Sequence, residues 1–219
     1  VAGRLEDMQG RFNLNNLLFP DGTVNAEAVK QLERILATLE IEPGWATAMA
    51  DWIDADTNPG FPDGAEDSVY TGQQPPYLAA NMPITRASEI MALPEFGAER
   101  YVKLKPYVTA LPVGTPLNVC TASGIVLDAL SENAREFGLN PVDLVNRRKD
   151  ACFPTLDDLK GSLGSAAYDK LKNSLTESRE FFRATVWVTI GTTDFTLYSL
   201  LARGDGGSVR PYLRSFGTE

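Results

Sequence analysis

The sequence predicts an α+β fold, a small antiparallel sheet carrying a large inserted α-helical domain. Three observations predict it: one apparent strand opens the chain, several strands close it, and apolar residues between them recur at helical spacing. With 219 residues, 43% hydrophobic and 22% charged, the chain can bury a sizeable core and has the make-up of a globular protein.

The elements follow in order. In residues 10–17, Phe12 and Leu14 alternate with Asn13 and Asn15, the pattern of a short strand, and Asp21-Gly22 then turns the chain. A helix is predicted from Asn25, which can cap it; Glu27 suits the first turn, and Val29, Leu32, Ile35, Leu36 and Leu39 share a face. A second helix over residues 44–53 delivers Asp54 and Asp56 at its C-terminal end. Residues 59–83, rich in Gly and Pro, read as an ordered loop. Residues 85–90 open a short helix with Thr85 or Ser88 as cap, and Leu111-Pro112-Val113-Gly114 breaks the chain. Residues 117–123 lead into a helix carrying Ile125, Val126, Leu127 and Leu130. Two further helices are predicted near 141–148 and 155–175. From Phe182, apolar Ala184, Val186, Val188 and Ile190 alternate with Arg183, Thr185, Trp187 and Thr189, a strand. A second strand covers 194–202, Gly204-Asp205-Gly206-Gly207 turns the chain, and 209–216 returns as a third. The β region is thus expected at 1–20 and 180–219, around a helical domain at 21–179.

Composition excludes several functions. Acidic residues outnumber basic ones 29 to 20, a net charge of −9 that opposes phosphate backbones, so nucleic acid is not an expected partner. Histidine is absent, which removes the usual general base and imidazole metal ligands. Cys120 and Cys152 are too far apart for a CxxC motif; two buried thiols and one disulfide both remain open on spacing. No apolar run is long enough to cross a bilayer.

The chemistry-bearing feature is an acidic loop. Asp51, Asp54, Asp56, Glu66 and Asp67, with Asn58, crowd into residues 51–67. Like charges this close repel unless a cation offsets them, and calcium takes six to eight oxygen ligands from loops of this kind. Asp54-x-Asp56-x-Asn58 opens like an EF-hand, but Pro59 and Ala65 stand where the invariant Gly and closing Glu belong. An irregular calcium loop and a solvated acidic loop are the two readings left. Asp157/Asp158 and Glu132/Glu136 are carboxylate pairs of the sort a glycosidase uses, although helix-surface carboxylates are mostly solvated. Arg147-Arg148-Lys149, the longest basic run, reads as a solvated helix end. Residues 117–130 look like half of a helix-hairpin-helix unit without its glycine-rich hairpin.

Four segments together carry a resemblance. They are Asp7-Met8-Gln9-Gly10-Arg11-Phe12-Asn13-Leu14-Asn15-Asn16-Leu17, Asp51-Trp52-Ile53-Asp54-Ala55-Asp56, Pro76-Tyr77-Leu78-Ala79-Ala80-Asn81-Met82-Pro83 and Leu117-Asn118-Val119-Cys120-Thr121-Ala122. In this order they resemble the K-type minor pseudopilin of the bacterial type II secretion system, the general secretion pathway protein K family. The resemblance implies a pseudopilin-type sheet with a helical insertion, and a periplasmic domain of an inner-membrane protein whose N-terminal anchor helix is not in this chain. It implies a non-enzymatic subunit at the pseudopilus tip, which assembles with I-type and J-type minor pseudopilins to initiate and cap the pseudopilus during export. Secreted substrates and the secretin are further implied contacts. It also implies Ca2+ at Asp54, Asp56, Glu66 and Asp67, to which spacing adds Asn58, with Asp51 as ligand or support. The periplasmic address turns the cysteine question toward a Cys120–Cys152 disulfide. The alternative function is a secreted, calcium-stabilised hydrolase using a carboxylate pair.

Overall fold

A computed structural model describes residues 1–132 and 135–217. Strand β1 (Ala2–Asp7) opens the chain, followed by β2 (Phe12–Asn13), a 3-10 turn at Leu14–Leu17, and helices α1 (Ala26–Thr38), α2 (Trp45–Ile53) and α3 (Asp67–Tyr70). A 3-10 turn at Ala87–Ala92 leads to α4 (Gly97–Leu104), β3 (Val108–Thr109) and β4 (Leu117–Asn118). Helices α5 (Gly124–Asp128), α6 (Pro141–Arg147), α7 (Leu156–Leu163) and α8 (Ser165–Leu171) follow. The chain then forms β5 (Leu175–Thr176), β6 (Phe181–Ile190), β7 (Thr193–Arg203) and β8 (Val209–Phe216).

The main sheet is antiparallel throughout, in the order β1-β6-β7-β8. Glu6, Arg183, Leu200 and Leu213 form one row across it, and Arg4, Thr185, Tyr198 and Ser215 form another row on the same face. That face turns toward the helical unit. The opposite face carries Leu5, Phe195 and Phe216, at 65%, 50% and 77% exposure. The long strands β6 to β8 match the alternation that predicted them. β1 falls inside the β region expected at 1–20, but Ala-Gly-Arg-Leu-Glu-Asp has no apolar period of its own; its partner on β6 imposes the extended form.

The strand expected over residues 10–17 is a correction. Only Phe12–Asn13 pairs, in parallel with Val108–Thr109, and the chain then coils into the 3-10 turn. Asparagine side chains cause this. Asn13 Oδ1 accepts from Leu111 N (2.9 Å), and Asn15 donates to Ile84 O and Leu111 O while accepting from Ile84 N. Asn16 spans Thr115 O and Gly114 N. Both halves of the alternation are therefore buried, and side-chain amides take the place of a ladder. Of the segment 1–20, residues 2–7 pair in the main sheet, whereas Phe12, Leu14, Leu17 and Leu18 pack with the helices.

Helix α1 forms as predicted. The Asn25 side chain accepts from Ala28 N (3.2 Å), and Ala28, Leu32, Ile35 and Leu36 are buried against α2 and neighbours. Each fully buried Leu or Ile contributes roughly 1.5–3 kcal/mol. The helix expected over 155–175 is two helices, because Gly164 takes φ +76° and ends α7 there. The short helix near 85–90 is the 3-10 turn Ala87–Ala92, with Arg86 at the N-cap position instead of Thr85 or Ser88, and Glu89 Oε1 caps it by accepting from Thr85 N and Arg86 N. Cys120 and Cys152 form a disulfide. Arg148 holds the same two segments: its Nε donates to Phe153 O (2.6 Å) and its guanidinium to Val119 O (3.0 Å). The basic run is thus not merely solvated.

Candidate metal centre

The acidic loop hangs from the end of α2. Asp51 and Asp54 lie three residues apart, so both project from one side of the helix end. Asp54 is the C-terminal cap residue, its N–H donating to Ala50 O at 3.0 Å. Glu66 stands immediately before α3. Aromatic packing brings α3 to α2: fully buried Tyr70 meets Trp52 edge-on at 5.0 Å, Tyr77 packs on both rings, and Tyr70 OH donates to Ala65 O. That docking carries Glu66 over the α2 terminus.

One oxygen from each of Asp51, Asp54 and Glu66 lies within 4.8 Å of the others. Calcium–oxygen bonds of about 2.3–2.6 Å fit ligand oxygens separated by that much. The three residues are 2%, 4% and 3% exposed. Asp51 is partly satisfied, since its Oδ2 accepts from Gly60 N (2.8 Å) and Ala65 N (2.9 Å). The loop wraps this carboxylate so closely that a Cβ on Gly64 falls 2.2 Å from Gly60 N and 2.3 Å from Asp51 Oδ2. In contrast, Asp54 Oδ1 and both oxygens of Glu66 are buried without a hydrogen-bond donor among the described residues.

Orphaned, buried, like-charged oxygens are costly, so the charged form is disfavoured. Burial, then the charges of Asp56 and Asp51, push Asp54 up to about 6. Burial, then Asp54 and the other acids of the loop, push Glu66 up to about 7. Burial also raises Asp51, opposed by its two backbone hydrogen bonds. A hard cation with oxygen ligands fits this donor set.

Of the five residues expected to hold the ion, Asp54 and Glu66 converge. Asp56 and Asn58 are exposed and bond each other, Asn58 N and Nδ2 both donating to Asp56 Oδ1 (2.7 and 3.1 Å). Asp67 accepts from Ala79 N (2.9 Å) and so tethers the following loop. Asp51, which the sequence left open as ligand or support, is the third member of the cluster. The other candidate pairs have structural work: Asp158 caps α7 by accepting from Thr155 N and Oγ1, and Glu136 accepts from Ser162.

Three comparisons bear on this arrangement. The sequence profile described as "Type II secretion system (T2SS), protein K" matches residues 10–113. The chain is 38% identical to the type II secretion system protein K of Pseudomonas aeruginosa over 98% of its own length and 64% of that relative's. It is 39% identical to the protein of that name from Aeromonas hydrophila over 51% of its length and 38% of the relative's. The chain thus spans less than two thirds of the curated relatives it matches. Among solved structures, it superposes with a TM-score of 0.84 on a chain of the GspK-GspI-GspJ complex from the enterotoxigenic Escherichia coli type 2 secretion system. That likeness covers 100% of this chain and 80% of the other at 26% identity.

Proposed function

We infer the role of this chain from one premise: it belongs to the type II secretion system protein K family. It is the globular part of a minor pseudopilin, located on the periplasmic side of the inner membrane of a Gram-negative bacterium. It works at the pseudopilus tip, binding I-type and J-type minor pseudopilins to initiate and cap the assembly. The observation that carries this reading is the superposition of its whole length on a chain of the GspK-GspI-GspJ complex. The exposed Leu5, Phe195 and Phe216 on the outer sheet face add apolar area of the kind that subunit packing covers.

The role is structural and not enzymatic. The carboxylates with raised pKa values are at most 4% exposed, so substrate does not reach them, which counts against the hydrolase reading. Instead, Asp51, Asp54 and Glu66 hold Ca2+. The ion supplies positive charge among three buried carboxylates and cross-links the end of α2 to the start of α3. Asp51 additionally folds the 60–65 turn through Gly60 N and Ala65 N, and Asp67 secures Ala79. The acidic loop is thus a clasp within the insertion, and the insertion's bulk blocks further subunits.

Immobilised chain is expected to retain I-type and J-type globular domains together from a mixture. If neither is retained with calcium present, the assembly role fails.

A further inference from the structure

We propose that the cavity between the main sheet and the helical unit is a binding site for one compact oxyanion, a carboxylate or an inorganic anion of similar size. The cavity measures about 90 Å³, room for several waters or one such ion. Arg183 and Tyr198 line it from the sheet, and Arg11, Arg86, Tyr101 and Lys105 from the helical side. Four cations line it and no Asp or Glu is among its described lining residues, although acids outnumber bases in the chain by 29 to 20.

Charge is unevenly matched around it. Glu6, opposite Arg183 in the same cross-strand row, divides one carboxylate between two guanidiniums, Arg11 and Arg183 (2.7 Å to the latter). Arg11 also donates to Lys105 O (3.3 Å), which leaves part of its five-donor fork for a ligand. Burial, and then the neighbouring Arg183 charge, hold the Arg11 guanidinium below its usual pKa even with Glu6 alongside. Arg183 and Lys105 engage further partners, so the charge offered to a ligand is chiefly that of Arg86 and the rest of the Arg11 fork. Arg86 has no carboxylate within ion-pair distance among the described residues. Glu89, the nearest acid in sequence, turns its Oε1 to cap the 3-10 turn. An oxyanion here gains charge-assisted hydrogen bonds from guanidinium forks whose geometry matches it.

The test is an NMR titration of the intact chain at constant ionic strength, with sodium chloride as the balancing salt. Acetate and N-acetylglutamate represent polypeptide carboxylates; sulfate represents free inorganic anions. Saturable shifts at the Arg11 and Arg86 Nε signals and at the amides of Thr85 and Ser88 are expected, with affinity in the millimolar class. R86Q should weaken binding about tenfold, whereas R86K, which keeps the charge but loses the planar fork, should fall between R86Q and the wild type. Saturation by the carboxylates alone assigns a polypeptide ligand; saturation by sulfate alone assigns a free anion. Both support the site. Shifts that fail to saturate, or that R86Q leaves unchanged, overturn it, and the wild-type titration decides the matter if R86Q does not fold.

Discussion

Stripping divalent ions from this protein should make its stability fall as pH rises from 5 to 8, and calcium should abolish that slope. Asp54 titrates near 6 in the folded chain against an ordinary 3.8, so the folded state holds this proton more tightly than the unfolded one. Stability from a carboxylate of that kind is present at low pH and is lost as pH climbs toward the folded value. The gap between about 6 and 3.8, at about 1.36 kcal/mol per pH unit, costs about 3 kcal/mol once Asp54 is ionised. Glu66, pushed up to about 7, carries the slope on to neutral pH. About 1.4 kcal/mol of that cost falls above pH 5; for a chain of 219 residues, each kcal/mol moves Tm by about 2–4 °C, so ion-free protein should lose about 3–6 °C between pH 5 and 8 from Asp54 alone. Calcium at 100 times its Kd returns about 2.7 kcal/mol. Calorimetric scans at pH 5, 6, 7 and 8, on ion-stripped protein with and without calcium, make the comparison. Coincident Tm profiles in the two series refute the reasoning.

Three further outcomes follow from single contacts. Gly64→Ala places a Cβ against Gly60 N and Asp51 Oδ2, so calcium affinity measured by calorimetry should fall at least tenfold, about 1.4 kcal/mol. Replacing both Cys120 and Cys152 with Ser opens a loop of 32-residue separation and should cost about 3–4 kcal/mol in a urea titration. Asn15→Ala strands Ile84 N and Leu111 O and should cost about 1–3 kcal/mol by the same assay.

Local chemistry made part of the fold legible. Asn25 and the spacing of Leu32, Ile35 and Leu36 announce α1, and the alternation from Phe182 announces β6, because cap and period act within one element. Where long-range partners decide, the sequence is silent. β1 is a strand only through β6, and the asparagines after Phe12 spend their amides on segments about 70 to 100 residues away. α4 has too short a period to stand out, and Gly164 divides a helix that composition alone joins. The site divides in the same way. Asp54 is legible as the end of a helix, but Glu66 reaches it only through Tyr70 on Trp52, and Asp56 spends its Oδ1 locally on Asn58. Asp51 was within reach of sequence reasoning, since it precedes Asp54 by one helical turn and is the one charged residue of α2.

Sedimentation velocity of this chain with I-type and J-type globular domains, at micromolar concentration and with calcium, tests the assembly role most directly. The proposed role predicts one species with the summed mass of the three subunits. Three separate boundaries, unchanged by adding any partner, contradict it.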